Sequence, residues 1–290
     1  MKQRIAILGS QGTLAEALQQ ELAPHKYEVH GFSRQQCDIT HADIVRALLC
    51  DVRPDAVINT SAYNNVDACE VDSNQCLQAL AINATAVGKL ASLTDHMGIP
   101  LIHYSTNYVF DGSDERDMEE DEFTHSIGLY GWTKEQGEIN IARAAQHHYI
   151  LRVACLFGKQ GSGKSTKRSF ADIVLGLAEK QQTLKLISDE VSNPTYAKDV
   201  AKQTRYILEQ RPSYGIYHTT NTGKASWLDY GNEVLRIAGI DRNVESITSQ
   251  DMPRPAKRPP HAVLANTKLS PMRPWQEALE EYMRENGLAA

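Results

Sequence analysis

The 290-residue sequence predicts an α/β protein, a doubly wound parallel sheet with a smaller C-terminal domain that covers the ends of its strands. Three observations predict it. A strand, glycine turn and helix open the chain; strands and helices then alternate as far as residue 155; after that the rhythm loosens and proline becomes dense, as in Met252-Pro253-Arg254-Pro255 and Arg258-Pro259-Pro260.

Taken in order, Ile5–Leu8 is a short apolar run that ends in Gly9-Ser10-Gln11-Gly12-Thr13-Leu14-Ala15. Leu14, Leu18 and Leu22 then recur at helical spacing. Such a turn lets backbone N–H groups approach a pyrophosphate at a helix N-terminus, and Ala15 is small enough for helix to pack closely on strand. Tyr27–Phe32 reads as a second strand, and it ends in Ser33-Arg34 where a binder of NAD usually places an acid. A hydroxyl followed by a guanidinium suits a 2′-phosphate, so NADPH is the expected cofactor, with NADH left open. Residues 42–50 have a helical pattern, 55–59 a buried-strand pattern, and 83–96 again a helical one. Residues 100–105 form a fourth strand, 130–146 a helix and 148–153 a fifth strand. Strands connected in this way lie parallel through right-handed crossovers, and ligands sit beyond their carboxyl ends. The loops to watch are therefore 59–63 and 105–108.

Composition narrows the class. With 41% hydrophobic and 23% charged residues the chain is neither disordered, collagenous nor a small disulfide scaffold. The net charge of −6 speaks against a nucleic-acid partner, though a local pocket on such a protein can still bind an anion. No apolar run approaches the roughly 18 residues of a spanning helix, so no membrane partner is expected. The apolar stretch near Met1 ends at Gly9, too short for a signal peptide. Five scattered cysteines without a Cys-x-x-Cys pair fit a reduced, cytoplasmic protein. The sequence leaves monomer and homodimer both open.

Tyr130-Gly131-Trp132-Thr133-Lys134 puts a phenol and an ammonium on one helix face. A nearby cation favours phenolate and so lowers the Tyr130 pKa, which suits a proton donor to a carbonyl that is receiving hydride. Lys134 can also hold ribose hydroxyls. The strand before this helix ends in Ser105 and Thr106, whose hydroxyls can share the same substrate oxygen.

Other motifs are decoys. Gly158–Ser165 matches the Gly-x-x-x-x-Gly-Lys-Ser phosphate loop, but it follows five strands already assigned and leads no array of its own. Two readings stand for Lys159, Lys164, Lys167 and Arg168: a basic lid over a substrate diphosphate, or a solvated loop. The acidic residues between Asp117 and Glu122 read as a solvated loop, and no metal site is expected. Cys155 reads as a pocket wall, without a base beside it.

Together, Gly9-x-x-Gly12, Tyr104-Ser105-Thr106-Asn107-Tyr108-Val109-Phe110 and Tyr130-Gly131-x-Thr133-Lys134 with Gly137-Glu138 resemble an extended short-chain dehydrogenase/reductase, a Rossmann-type fold. Within it the chain is most similar to the dTDP-4-dehydrorhamnose reductase family. The likeness extends through Asn59–Glu70, Ile187–Glu190 with Pro194-Thr195, Ser226-Trp227, Arg258-Pro259 and Lys268-Leu269. The resemblance implies reduction by NADPH of the 4-keto group of a nucleoside-diphosphate-linked 6-deoxy sugar. It implies Thr106, Tyr130 and Lys134 as the catalytic set. Cofactor contacts would fall at Gly9, Gln11, Gly12, Thr13, Leu14, Ser33, Arg34, Asp38, Ile39, Ser61, Ala62, Tyr63 and Asn83, with Tyr130 and Lys134. Substrate contacts would fall at Thr106, Asn107, Tyr108, Val109, Cys155, Arg168 and Arg258. A cofactor domain of residues 1–155, to which part of 195–220 returns, would face a substrate domain of 156–194 and 221–290.

Three positions depart from the family: Asn107 for its usual Asp, Cys155 for a Trp that packs on the sugar, and Ala262 and Ala265 for a Ser and an Asp. They bear on the sugar more than on the reduction. Reduction or epimerisation of another nucleotide sugar is the neighbouring expectation. A non-catalytic NADP-binding subunit, like the regulatory subunit of methionine adenosyltransferase, is another, although it would have no need of a proton donor.

Overall fold

Six parallel strands make the central sheet: β1 (Gln3–Leu8), β2 (Tyr27–Phe32), β3 (Ala56–Asn59), β4 (Leu101–Thr106), β5 (His148–Val153) and β10 (Gly215–His218). Their spatial order is β10-β5-β4-β3-β1-β2, in a computed structural model that describes residues 2–164 and 166–290. The order reverses between β1 and β3, which opens a crevice at their carboxyl ends. Every residue of β3 and β4 is buried, as expected of strands covered on both faces.

Side-chain alternation along β1 decides what covers each face. Ile5 and Ile7 point to the side where α1 (Thr13–Leu22) and α8 (Ala197–Gln210) pack, through Leu14, Leu18, Leu22, Val200 and Ile207. Ala6 and Leu8 point to the other side, where α2 (Ala42–Val52) contributes Val45 and Leu49 and α6 (Leu129–Ala144) contributes Ile141. Between these helices on that side, α3 (Val66–Val71) leads into α4 (Ser73–Leu80), a π-helical turn over Ala81–Ala86, and α5 (Val87–His96).

The residues from Ser73 to His96 form one continuous helix, ten residues longer at its start than the periodicity of 83–96 predicts. Asp72 starts it, its carboxylate accepting from Asn74 N at 2.9 Å. Leu77, 63% exposed, blurs the apolar stripe in the first turns and hid them from the pattern. By length and composition this helix could also cross a membrane, with a mean hydropathy of 1.3 in its most apolar window. Its Val87, Leu90 and Ala91 are buried against the sheet.

The later part of the chain builds small sheets around an aromatic core. β6 (Leu156–Phe157) pairs with β9 (Thr195–Tyr196), and β7 (Thr183–Ile187) with β13 (Asn243–Ile247). β8 (Val191–Ser192) lies between β12 (Ala225–Ser226) and β14 (His261–Ala262), while β11 (Asn221–Thr222) pairs with β15 (Met272–Pro274). Helices α7 (Phe170–Ala178), α9 (Trp227–Ile237) and α10 (Trp275–Glu285) close over Phe157, Tyr196, Tyr230 and Tyr282. Phe157 stacks on Tyr196 with ring centroids 5.2 Å apart.

One acidic residue expected in solvent turns inward. Glu120 is buried and accepts from His218 N at 3.1 Å and Thr267 Oγ1 at 2.6 Å. Beside it, buried Arg152 pairs with Glu138, Nη2 to Oε2 at 2.7 Å, so each buried charge has a partner. Composition of the 117–122 run gave no sign of this, because the donors come from β10 and from Thr267.

Candidate active site

Two glycines bring α6 against the carboxyl edge of the sheet. A Cβ on Gly131 would lie 2.2 Å from the Tyr108 carbonyl oxygen, and one on Gly137 would lie 2.2 Å from that of Asn83. Only glycine permits these approaches. They set Tyr130 edge-on to Tyr108, with ring centroids 5.9 Å apart, and bring Lys134 beneath β4.

Thr106 ends β4, its hydroxyl accepting from Tyr108 N and donating to Asn107 Oδ1, both at 3.2 Å. Asn107 in turn donates to the Ala262 carbonyl at 2.8 Å and to Ser192 Oγ at 3.1 Å, tying this turn to β14 and β8. Burial holds the Tyr130 phenol well above its ordinary pKa, against the opposing pull of the Thr106 hydroxyl beside it. Lys134 is 2% exposed, and burial lowers its pKa to about 8 against the opposing charge of Glu138. Its Nζ donates to the Tyr104 carbonyl at 2.6 Å and lies 3.3 Å from His103 Nε2. The expected lowering of the Tyr130 pKa by Lys134 is therefore reversed: the ammonium is engaged by a carbonyl, and desolvation of the phenolate dominates.

The crevice between β1 and β3 is built for close backbone approach. Gly9 has φ +82°, and a Cβ there would lie 2.9 Å from Ser61 N, Ser61 Oγ and Thr60 Oγ1. Gly12 precedes α1, and its missing Cβ would meet only the Gly9 carbonyl, at 3.5 Å. Gln11 and Thr13 flank it, while the Leu14 side chain belongs to the core. At the end of β2, Ser33 Oγ donates to Gln36 Oε1 at 2.9 Å. Arg34, with a side chain 66% exposed, gives Nε to Asp38 at 3.1 Å. The side chain of Ile39 is buried in the core, so only its backbone can face a ligand. After β3, Ala62 and Tyr63 follow Ser61, and Asn83 clamps this loop. Its Oδ1 accepts from Tyr63 N, and its Nδ2 donates to Tyr63 O, both at 2.9 Å. Asn83 is fully buried, and its side chain positions the loop.

Beyond the end of β4, a cavity of about 70 Å³ is lined by Asn107, Tyr108, Cys155, Trp227, Tyr230 and Arg258. Cys155 lines this cavity with φ +38°, and burial pushes its thiol up to about 12. Arg258 is held by both oxygens of Asp67, a residue that the sequence did not single out. Glu190, also unassigned, is buried and accepts from Trp227 Nε1 at 3.1 Å and from Arg254. No local spacing links these partners.

Two expected substrate contacts do not line this cavity. Val109 is fully enclosed with Phe110, Met118, Ala154 and Leu264, since the turn after β4 points it inward. Arg168, exposed just before α7, donates to the Asp172 carbonyl at 2.8 Å. The phosphate-loop look-alike packs on the glycine turn, and Lys167 just beyond it donates to the Asn64 carbonyl at 3.1 Å. Gly163 N donates to the Gln11 carbonyl at 3.0 Å, and Ser162 N to Glu16 Oε1 at 2.7 Å. Its last residue, Ser165, lies outside the described residues. Among the described residues no group of three or more His, Cys, Asp or Glu is placed to hold a metal ion.

A doubly wound sheet with hydroxyl, phenol and ammonium gathered at its carboxyl edge has the arrangement of the extended short-chain dehydrogenase/reductase class. The family model described as the RmlD substrate binding domain matches residues 3–287. The dTDP-4-dehydrorhamnose reductase of Mycolicibacterium smegmatis is 34% identical, over 97% of this chain and 85% of its own. A probable dTDP-4,6-dihydroxy-2-methyloxan-3-one 4-ketoreductase of Streptomyces antibioticus is 33% identical, over 96% and 94%. The crystal structure of dTDP-4-dehydrorhamnose reductase from Bacillus anthracis in complex with NADP superposes with a TM-score of 0.92 at 28% identity, covering 98% of this chain and all (100%) of that one. This chain belongs to the RmlD substrate binding domain family.

Proposed function

We propose that this protein reduces the 4-keto group of a nucleotide-linked 6-deoxy sugar, with NADPH as its reductant. The observation that carries this reading is the gathering of Thr106, Tyr130 and Lys134 beside a glycine-turn crevice, in a chain whose relatives are named as such reductases. NADPH, when bound, supplies the hydride.

The residues fit that cofactor. The glycine turn at the start of α1 offers backbone N–H groups to a pyrophosphate once the 161–163 segment that packs on Gln11–Thr13 gives way, and Arg34 with Ser33 offers donors to a 2′-phosphate. NADH lacks the group that Arg34 would meet. Asp38 steadies Arg34, while Ser61, Ala62 and Tyr63, held by Asn83, form the opposite rim. Thr106 orients the sugar carbonyl by hydrogen bonding, and Tyr130 gives its proton to that oxygen as it becomes an alkoxide. Burial keeps the phenol protonated until hydride arrives. Lys134 holds ribose hydroxyls. Asn107, Tyr108 and Cys155 wall the sugar, and Arg258 meets the diphosphate. On this reading residues 1–155, with part of 195–220, bind the cofactor, while 156–194 and 221–290 bind the sugar nucleotide. All five cysteines are free thiols, in keeping with a cytoplasmic setting.

The test is NADPH oxidation by the purified protein with dTDP-, GDP- and UDP-linked 4-keto sugars. Turnover with one of them supports the reading. Tight NADPH binding without turnover on any would replace it with a regulatory role.

A further inference from the structure

Beneath the proposed site lie three consecutive buried polar side chains, Asn59, His103 and Lys134, exposed by 0%, 1% and 2%. The reaction as described uses only the last. Their hydrogen bonds have a fixed polarity. Ser61 N donates to Asn59 Oδ1 at 3.1 Å, which assigns the oxygen of that amide. The amide nitrogen, Nδ2, therefore faces His103 Nδ1 at 3.1 Å, and it can only donate. His103 Nδ1 must accept, so a neutral ring carries its proton on Nε2. That Nε2–H points at Lys134 Nζ, 3.3 Å away.

An ammonium has three donors and no lone pair, so it meets this N–H as donor against donor. An amine can accept the Nε2–H while still donating to the Tyr104 carbonyl. The alternative tautomer only moves the conflict to Asn59. Burial and the Lys134 charge keep His103 from taking a second proton.

We infer that Asn59 and His103 are positioning residues: Asn59 fixes the Nε2–H tautomer of His103, and that N–H biases Lys134 toward its amine form. The inference rests on the proposed reduction only in making Lys134 a residue of that site. The opposing influence is Glu138, one turn further along α6 and itself paired with Arg152 from β5. Tyr130 lies one turn back, facing Tyr108 and Cys69, and both of these raise its pKa further. From β4 come His103 and the Tyr104 carbonyl, the Tyr104 phenol being turned away to Thr204. Asn83, from the π-turn, meets α6 at Thr133 and brings no charge. Among these groups only the imidazole offers Lys134 a hydrogen that the ammonium cannot accept.

The test uses NMR of the full chain, which reads Lys134 whether or not the protein reduces anything. Two-bond ¹H–¹⁵N correlations on ¹⁵N-histidine protein, assigned by the loss of one ring in His103→Gln, report the tautomer. Protonated Nε2 with bare Nδ1 is expected; protonated Nδ1 overturns the inference. Lysine labelled at ¹³Cε, assigned by Lys134→Met, gives the Lys134 titration. Asn59→Leu leaves the net charge unchanged and releases the tautomer, so its midpoint should rise by about half to one pH unit. An unchanged midpoint in a folded Asn59→Leu protein overturns the inference. If that variant does not fold, the tautomer in the unmodified chain decides. A failed reductase assay would leave both NMR results standing.

Discussion

Asp67 and Arg258, 191 residues apart, form a two-pronged ion pair, with Nη1 to Oδ1 at 2.5 Å and Nη2 to Oδ2 at 2.7 Å. It joins α3, at the cofactor crevice, to the Arg-Pro segment that walls the cavity beyond β4. The Arg258 guanidinium pulls the Asp67 carboxyl down to about 2, below its usual 3.8. A folded-state pKa below the unfolded one gives stability that is present above about 3.8 and lost as pH falls through about 2. Asp67 is 38% exposed, so solvent screening keeps this contribution within about 1 kcal/mol. Acid unfolding of Asp67→Asn should therefore differ modestly from the parent chain at pH 4 and above, and converge with it toward pH 2.

The same pair holds Arg258 at the cavity in the absence of substrate. Arg258→Ala should raise KM for the sugar nucleotide by tenfold or more and leave NADPH affinity within about twofold, since a charge-assisted contact to a diphosphate is worth roughly 1.5–3 kcal/mol. Steady-state kinetics with NADPH titrated separately check this. Equal loss of both affinities would place Arg258 elsewhere in the binding scheme.

Tyr130→Phe should lower kcat by roughly 10²- to 10⁴-fold, the usual worth of general acid catalysis, while NADPH still binds. Cofactor fluorescence titration alongside turnover measures both. Turnover at the parent rate would mean that another group supplies the proton.

Lys134 is a buried ammonium below pH 8. Its pKa falls from an ordinary 10.5 to about 8, chiefly by desolvation. The charged form is thus disfavoured on folding, a cost present in full below about 8 and relieved as pH rises toward 10.5. At ~1.4 kcal/mol per pH unit the cost is roughly 3 kcal/mol. Lys134→Met should stabilise the fold at pH 6 and lose that advantage at pH 10. Urea unfolding at both values tests the sign.

Gly9 sits at φ +82° with no room for a Cβ. Gly9→Ala should destabilise by about 1–3 kcal/mol and weaken NADPH binding, because the strained turn must move away from Ser61. Denaturant midpoints and cofactor titration would show it; unchanged values of both would refute the assigned geometry of the turn.

The sheet was legible because buried parallel strands read as short apolar runs and their helices as leucine spacing. Ile5–Leu8, Leu14–Leu22 and residues 148–153 carry that signal in their composition alone. The start of the helix at Ser73 was not, because Leu77 lies on its exposed side and the amphipathic period fails there. Glu120 was read as solvated for a related reason: the groups that satisfy it, His218 and Thr267, are about a hundred or more residues away and meet it only after folding.

By itself the sequence determined the alternation of elements, the glycine turn and the Tyr130–Lys134 spacing, all set by near neighbours along the chain. Tertiary structure alone decided that Gly131 and Gly137 let α6 approach, that Asp67 meets Arg258, and that His103 faces Lys134. The physical reason is the range of the forces. Periodicity and turn chemistry act over a few residues, whereas the charge and proton on a side chain depend on burial and on partners that come from distant segments.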